Sequence, residues 1–406
     1  MTPTNNYRGA QARKYAPATL VFELHSDSPE LRHHLFNRHA KLAESYEQLR
    51  RAIPLPDRSE IEAEERFYRL AHHNRSFCMP LDTAQGVFSS ACVVFKGVEP
   101  LLGDFDHMID WMMISPFRSS TRVMAEHFPL AEGKIPGTVS LTEAIQEAKL
   151  AAEIHAKHLE HYQELARLPV PLVVYRYSEE DEERCRVTLL RKLPAVVALR
   201  VEELMRVGLG VYAYYYSVAP IRADAYGSVA KPKIRDYFST RVSPRTTILR
   251  WISLLARLLY LGYVPLTPRH EGLGACMDMG NACLDGGFCD IESIQPIASC
   301  PDDEFFYESI ISTLYTMYNT MEKLAVPDFG LREHSLYPNI EKFVLMRYLC
   351  ALFEAALESE RRPQLQLDSR VNDLLSPKTF DAVTALLRRK DRPRNFALYL
   401  RERGVR

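Results

Sequence analysis

Ser90-Ala-Cys-Val-Val-Phe-Lys96-Gly97 is the stretch of sequence that decides the fold. It is rich in β-branched and aromatic residues and ends at a lysine followed by glycine, which predicts a strand. Further along, Ser140-Leu-Thr-Glu143 follows a Pro-Gly pair, and its Ser and Glu stand three residues apart, as in a capping box. We expect a long helix to begin there and to continue to Leu168-Pro169. The fold is thus built outward from a strand ending in Lys96 and a helix with Glu143 in its first turn.

The segments on either side divide into a β-rich half and a helical half. Leu31, Leu35, Leu42 and Leu49 recur at helical spacing within residues 1–60. Apolar runs predict strands at 171–175, 186–190 and 195–199, with an acidic turn at 178–184. Beyond about residue 205 the pattern is mainly helical, most clearly at 244–261, 303–324, 340–360 and 377–404. We expect an α+β protein with a helical N-terminal extension (1–60), a β-rich part (61–203) and a helical part (204–406).

The composition excludes several classes of function. The 406 residues include 51 basic and 52 acidic side chains, which gives a net charge of −1 and no support for a nucleic-acid or membrane-surface partner. The sequence has no apolar run near the roughly 20 residues that a membrane span needs, and its beginning lacks the apolar core of a signal peptide. The eight cysteines do not form the dense framework of a small secreted domain. We expect a cytoplasmic protein.

Asn281 and Asp290 are the strongest candidates for metal ligands. They flank a short turn of apolar residues and glycines, and an amide and a carboxylate in that arrangement can converge on one hard cation. Protein-kinase-like enzymes hold the Mg²⁺ of MgATP in this way, with an Asn that ends the catalytic loop and an Asp on the next strand. The alternative is structural: Asp285-Gly-Gly is a hairpin signal, and Asn281 could simply cap a turn.

Lys96 and Glu143 fit the same chemistry. A lysine on a strand can neutralise the α- and β-phosphates of ATP when a glutamate from a helix orients it, although most such residues are merely solvated. The order of strand lysine, helix glutamate, further strands, helices, and then Asn and Asp predicts a two-lobed, protein-kinase-like α+β fold. Its N-lobe would be β-rich with one long helix, and its C-lobe mainly helical.

The ordered set of motifs resembles the selenoprotein O family, kinase-fold enzymes that transfer AMP from ATP to protein hydroxyls. Phe95-Lys96-Gly97 is similar to the family's Leu-Lys-Gly strand end, and Glu132-Gly133-Lys134 with Ser140-Leu-Thr-Glu143 is similar to its Asp-Gly-Arg…Ser-Ile-Arg-Glu segment. The run from Ala195 to Gly208 resembles its Ala-Val-Leu-x-Arg-Val…Leu-Arg-Phe-Gly run. Asn281 and Asp290 keep the family's spacing. The resemblance covers roughly residues 85–295.

The resemblance implies a role for particular positions. Lys96 paired with Glu143 would contact the phosphates, and Glu132 and Gly133 would lie near the nucleotide. Arg200 and Arg206 would grip the phosphate end, and Asn281 and Asp290 would bind Mg²⁺. The family uses an Asp immediately before the metal Asn as a base; Gly280 stands there in this chain, and Asp278 is the nearest substitute.

The resemblance predicts an Mg²⁺/ATP-dependent adenylyltransferase. Its acceptor would be a hydroxyl or carboxyl group on a protein, peptide or small molecule. The family's glycine-rich segment is not found upstream of Lys96, and Cys276 stands where an ordinary kinase has its catalytic Asp. The alternatives are therefore a kinase of the same fold, an inactive nucleotide-binding pseudokinase that acts as an interaction module, and an unrelated soluble α+β protein in which the motif spacing is coincidental. The oligomeric state is not predicted.

Three other groups of residues have both plain and functional interpretations. Cys276, Cys283 and Cys289 lack zinc-site spacing and are expected to be small apolar fillers or, alternatively, redox-sensitive thiols. His155, His158 and His161 form a row on the long helix that is expected to be solvated or partly buried rather than metal-binding. Tyr212 and Tyr214–Tyr216 are expected to pack in a core, with a stacking wall for adenine as the alternative.

Overall fold

The computed structural model describes part of the chain, in two compact units. The described residues are 17–24, 28–38, 40–51, 68–69, 76–82, 91–97, 139–192, 205–217, 242–265, 282–289, 291, 294–303, 305–307, 309–311, 313–314, 317, 338–376 and 381. The first unit is Met1–Ala152 with Val170–Ala219, and the second is Glu153–Pro169 with Pro220–Arg406. The predicted α+β class is confirmed, because both helices and an antiparallel sheet are present.

One antiparallel sheet forms the centre of the first unit. Its strands are β1 (Pro17–Glu23), β2 (Tyr68–Arg69), β3 (Ser76–Pro80), β4 (Cys92–Lys96), β5 (Val139–Ser140), β6 (Val170–Tyr177) and β7 (Leu209–Tyr216). Their order is β1-β6-β7-β4-β3-β2, and the short β5 also pairs with β7. Every residue of β4 and β7 is buried, because these two strands lie in the middle of the sheet with neighbours on both edges.

Four helices accompany this sheet: α1 (Pro29–Arg38), α2 (Ala40–Arg51), α3 (Leu141–Tyr162) and α4 (Glu179–Lys192). The predicted capping residue is confirmed, since the Ser140 hydroxyl accepts a hydrogen bond from the Glu143 N–H at 3.1 Å. The leucines that predicted α1 and α2 are all buried. Helix α3 runs through both units, with Ala152 the last of its residues in the first unit.

Four predictions about this unit were wrong. The 186–190 run is not a strand, and 178–184 is not a turn: both lie largely within α4, whose first turn carries four acidic residues that suit a helix N-terminus. The Ser178 hydroxyl caps this helix by accepting from the Asp181 N–H. The chain beyond residue 205 does not become helical at once, because β7 follows. Residues 1–60 are not only helical, since β1 pairs with β6 in the sheet. The strand predicted at 195–199 lies outside the described residues.

The second unit is built around two long helices. Its elements are the end of α3, then α5 (Pro244–Tyr260), β8 (Tyr263–Pro265), β9 (Ile294–Pro296), α6 (Pro338–Ser359) and α7 (Ser369–Leu374). Helices α5 and α6 pack together and bury Leu255 and Leu258 of the former and Phe353 and Leu357 of the latter. Both confirm the helices predicted at 244–261 and 340–360. The described positions between 303 and 317 are also helical, whereas 377–404 lies outside the description except for residue 381.

No helix within the described residues is long and apolar enough to cross a membrane.

Candidate functional site

Lys96 is buried at the end of β4 and forms an ion pair with a glutamate of α3. Its Nζ lies 2.8 Å from Oε2 of Glu147, and the two side chains are only 4% and 1% exposed. The sequence predicted a helical carboxylate for Lys96 but chose Glu143, and the partner in the structure is one helical turn further along. Glu143 is half-buried, and its Oε2 makes no hydrogen bond with the described residues.

The anchoring of α3 explains why Glu147 reaches Lys96. Ser140 pairs with Leu209 at the start of β7, and the Leu141 N–H donates to Gly208 O at 2.9 Å, so the helix begins beside that end of the strand. Lys96 is opposite Tyr212, three residues or about 10 Å further along β7. A helix rises about 9 Å between residues 141 and 147 but only about 3 Å between 141 and 143. The rise to residue 147 matches the distance from Leu209 to Tyr212, and Glu147 is the carboxylate that pairs with the lysine.

Gly97 ends the lysine strand in a conformation that only glycine adopts easily. Its φ is +90°, and a Cβ there would lie 2.5 Å from Gly210 O and 2.6 Å from Val139 Cγ1. The Gly97 carbonyl accepts a hydrogen bond from the Tyr177 hydroxyl at 2.8 Å. The backbone is thus fixed immediately after Lys96, which limits where the ammonium group can go.

A tyrosine row of β7 shares the face of the sheet on which Lys96 lies. Lys96, Val94 and Cys92 are opposite Tyr212, Tyr214 and Tyr216 respectively, and opposed residues of antiparallel strands point to the same face. The rings of Tyr212 and Tyr214 are 5.1 Å apart, and all three tyrosines are buried. This burial supports the expectation of core packing.

Residues 282–289 form a short hairpin in the second unit. Ala282 and Phe288 make an antiparallel bridge, and the Cys283 N–H donates to Gly287 O at 2.8 Å. The turn is Asp285-Gly286-Gly287, in which Gly286 has φ +96° and the Gly287 N–H donates to Asp285 Oδ1. The hairpin signal in the sequence is therefore confirmed. Strands β8 and β9, which precede and follow the hairpin in sequence, pair with each other, with Pro265 opposite Ile294.

The other predicted site residues are distributed as follows. Glu132, Gly133, Arg200, Asp278, Asn281 and Asp290 lie outside the described residues, as does Cys276. Arg206 is described and is exposed in the turn before β7. Within the described ranges, no group of three or more His, Cys, Asp or Glu side chains is placed to hold a metal ion.

His155 and His158, in the second half of α3, each form a hydrogen bond to a backbone carbonyl. Since a carbonyl can only accept, His155 donates through Nε2 to Pro169 O at 2.9 Å, and His158 through Nδ1 to Glu164 O at 2.6 Å. The pKa of each imidazole is lowered to about 4, mainly by burial, and nearby Arg257 contributes to the lowering for His158. Both imidazoles are therefore neutral at pH 7, and their burial and backbone hydrogen bonds are typical of structural histidines rather than metal ligands. Cys283 and Cys289 are buried in the hairpin, as expected of apolar fillers.

Comparisons with known proteins give no family for the chain: no protein-family model matches it, and no curated protein has a significantly similar sequence. The resemblance to the selenoprotein O family thus stays a prediction.

The sequence did not predict the roles of two glutamates, one that pairs with Lys96 and one that binds the start of β7. Glu147 was identifiable, because it lies four residues after Glu143 and so on the same helix face. Glu182 of α4 had no such signal. Its buried Oε1 accepts from the Leu209 N–H at 2.8 Å and lies 3.5 Å from Arg176 Nε. This carboxylate fixes the start of β7, the same end of the strand to which α3 is anchored.

Proposed function

We propose that the chain is an Mg²⁺/ATP-dependent transferase with a two-lobed, kinase-like fold, and that it transfers AMP to a hydroxyl or carboxyl acceptor on a protein, peptide or small molecule. The buried Lys96–Glu147 pair carries the proposal. Removing two charges from water costs several kcal/mol for each ion, so such a pair is weak evidence for stability and stronger evidence for a role of the charges. In protein kinases a lysine on the third strand pairs with a glutamate of the following helix and contacts the ATP phosphates.

The position of Lys96 in the sheet supports this assignment. Strand β4 is the third strand of the antiparallel run β2-β3-β4, and α3 is the next long helix described after it. The packing of β4 does not require a lysine at this position, because the other four residues of the strand are apolar or Cys and are equally buried. The lysine is oriented by Glu147 and its backbone is fixed by Gly97, which is the preorganisation that charge stabilisation requires.

The hairpin of the second unit is the structural alternative predicted from Asp285-Gly-Gly, and it also leaves Asn281 and Asp290 at its two ends in sequence, where the resemblance implies a metal site. These residues adjoin the described hairpin in sequence, one before Ala282 and one after Cys289. Partners in an antiparallel bridge have Cα atoms about 4.5–5.5 Å apart, so the Ala282–Phe288 bridge brings the two arms of the hairpin together. Amide and carboxylate oxygens suit Mg²⁺, which neutralises phosphate charge when bound. The donor set and the hairpin therefore fit this ion.

The proposed reaction is balanced without a further reactant. The acceptor oxygen attacks the α-phosphorus of ATP, the bond between the α-phosphorus and the bridging oxygen breaks, and pyrophosphate leaves. The acceptor proton passes to a base, for which Asp278 is the candidate implied by the resemblance. AMP transfer is preferred to phosphate transfer because Cys276 occupies the place of the ordinary kinase base. The Lys96–Glu147 pair would serve a kinase equally, so phosphotransfer is the second candidate.

Labelled ATP tests the proposal. The protein is incubated with Mg²⁺ and ATP labelled at the α- or the γ-phosphate, and label retained in the protein fraction is counted. We expect label from the α position alone; label from the γ position alone would establish a kinase instead. If neither is retained but MgATP raises the melting temperature, the assay is repeated with a cell extract as the source of protein, peptide and small-molecule acceptors, and transfer to none of them favours an inactive nucleotide binder. If the melting temperature is also unchanged, nucleotide binding is excluded.

Two glutamates one turn apart provide a matched control. Glu147→Gln and Lys96→Met are expected to reduce α-label transfer about 100-fold, the effect of losing one preorganised charge-stabilising group. Glu143→Gln is expected to retain most of the activity, because Glu147 is the partner of Lys96. Melting temperatures without nucleotide identify any variant that fails to fold. Equal losses in Glu143→Gln and Glu147→Gln would contradict the role of the ion pair.

A further inference from the structure

Tyr177, the last residue of β6, binds the end of β4 although these two strands are not neighbours. Strand β7 lies between them in the sheet. Neighbouring strands are about 4.8 Å apart, so about 10 Å separates β6 from β4. The buried side chain of Tyr177 crosses this distance, and its hydroxyl donates to Gly97 O at 2.8 Å. The hydrogen bond joins residues that are 80 positions apart in the chain.

The Tyr177 hydroxyl approaches β4 from the face of the sheet opposite to that of Lys96. Lys96 lies opposite Tyr212 of β7. Tyr175 lies opposite Val211, which precedes Tyr212 and so points to the other face. Tyr177 follows Tyr175 by two positions, so both tyrosines of β6 point away from the lysine face. Tyr177 can therefore hold the backbone beside the lysine, but it is not placed to contact a phosphate that the ammonium group binds.

Lys96 is thus held through two different bonds. On one face its Nζ lies 2.8 Å from Glu147 Oε2, and on the other face the Tyr177 hydroxyl holds the carbonyl of the following residue. That residue, Gly97, has φ +90°, and glycine has more backbone freedom than any other residue. The Tyr177 hydrogen bond therefore restrains the chain at the point where β4 ends and where its backbone would otherwise rotate most easily.

We infer that Tyr177 is a positioning residue for Lys96 and that it acts through the lysine on the binding of the ATP phosphates. The inference rests on the proposed function, which assigns those phosphates to Lys96. A charged group stabilises a ligand most when it is fixed before the ligand binds, since no reorganisation is then required. The hydrogen bond from Tyr177 provides part of this preorganisation without occupying the nucleotide site, because it lies on the other face of the sheet.

The affinity for MgATP tests this role. Tyr177→Phe removes the hydroxyl and keeps the ring, and the Kd of MgATP is measured by isothermal titration calorimetry for this variant and for the wild type. We expect the Kd to rise about fivefold, within the range that one hydrogen bond between neutral groups provides. The melting temperature without nucleotide is measured separately, because a purely structural role would lower it and leave the Kd unchanged.

Tyr175→Phe is the matched control. Tyr175 lies on the same strand and the same face as Tyr177 and is also buried, but its hydroxyl donates to Leu49 O of α2. The variant therefore loses an equivalent hydrogen bond to a backbone carbonyl that does not belong to the end of β4. It should keep the wild-type Kd for MgATP. Equal increases of the Kd in the two variants would overturn the inference.

Acetylation of Lys96 tests the positioning without a nucleotide. The native protein is treated briefly with acetic anhydride, and the modification of Lys96 is measured by peptide mass spectrometry relative to the exposed Lys149. The side chain of Lys96 is only 4% exposed, so it reacts when the end of β4 opens. We expect acetylation to be several times faster in Tyr177→Phe and to keep the wild-type rate in Tyr175→Phe.

The outcomes separate this inference from the proposed function. If the wild type binds MgATP and Tyr177→Phe keeps either its Kd or its rate of Lys96 acetylation, the positioning role is overturned and the proposed function survives. If the wild type does not bind MgATP, the proposed function fails, and acetylation alone decides whether Tyr177 fixes Lys96. If Tyr177→Phe is unfolded at room temperature, both measurements are made at about 15 °C, near the usual maximum of protein stability.

Discussion

Lowering the pH from about 7.5 to about 5 should destabilise the second unit through His155 and His158. Both imidazoles are neutral in the folded protein, with pKa values of about 4 against 6.5 for an ordinary histidine. Burial is the main cause in each case, and the two rings also repel each other's charge. Because the folded pKa is lowered, the unfolded chain binds more protons than the folded protein between these two values. Stability is therefore complete above about pH 6.5 and falls until about pH 4.

The magnitude follows from the two pKa values. A difference of about 2.5 units corresponds to roughly 3 kcal/mol for each histidine once both states are protonated. At about pH 5 roughly 2 kcal/mol is lost for each, or about 4 kcal/mol in all. That is a large fraction of the 5–15 kcal/mol typical of a folded domain. The carboxylates with lowered pKa, Glu153, Glu164 and Asp368, act in the same direction only at lower pH, so the range above about pH 5 isolates the histidines.

Urea unfolding at the two pH values measures this loss. The wild type is compared with the double variant His155→Gln/His158→Asn, in which each amide nitrogen replaces the ring nitrogen that donates to Pro169 O or Glu164 O. The double variant should lose about 4 kcal/mol less than the wild type over this pH range. His33→Gln removes an exposed imidazole and serves as the control. Equal losses in the wild type and the double variant would refute the assignment of buried neutral histidines.

Two further predictions test the packing of the first and the second unit, respectively. Lys96→Met or Glu147→Gln alone should cost about 3–5 kcal/mol of unfolding free energy, because each leaves a buried charge or polar group without its partner. The double variant Lys96→Met/Glu147→Gln should cost less than the sum of the singles, and additive effects in urea unfolding would show that the pair is not coupled. Gly286→Ala should destabilise the protein by at least about 1–3 kcal/mol, through its positive φ and its contact with Arg250, and an unchanged urea midpoint would contradict the close packing of the turn.

Local signals predicted the elements around Lys96 well. The β-branched run before the lysine and the Ser140 cap each depend on a few adjacent residues, and both are present in the structure. The partner of Lys96 could not be predicted from adjacent residues alone. The four-residue spacing made Glu147 a candidate beside Glu143, but the choice between the two depends on where β5 attaches α3 to β7.

The errors came from competition between local preferences. Residues 186–190, Arg-Val-Thr-Leu-Leu, contain β-branched residues, but the Ser178 cap and the acidic first turn of α4 begin a helix upstream and carry it through them. Strand β7 was not predicted, although Val211 and the tyrosines of this strand favour a β-strand. The apolar residues further along the chain recur at helical spacing, and that pattern was extended back to residue 205. Strand β1 was missed because its pairing with β6 joins residues far apart in sequence. Asp285-Gly-Gly indicated a hairpin as the structural alternative to a metal site, and the hairpin is present; the metal-binding role of Asn281 and Asp290 stays a prediction.

The buried cysteines have a practical consequence for experiments on this protein. Cys78 and Cys92 lie in the sheet of the first unit, whereas Cys283, Cys289 and Cys350 lie in the second, and all are shielded from solvent. A thiol reagent can modify each one only when its surroundings open. Pulsed alkylation followed by peptide mass spectrometry would therefore report the opening rate of each unit separately, from the native sequence and without an introduced label.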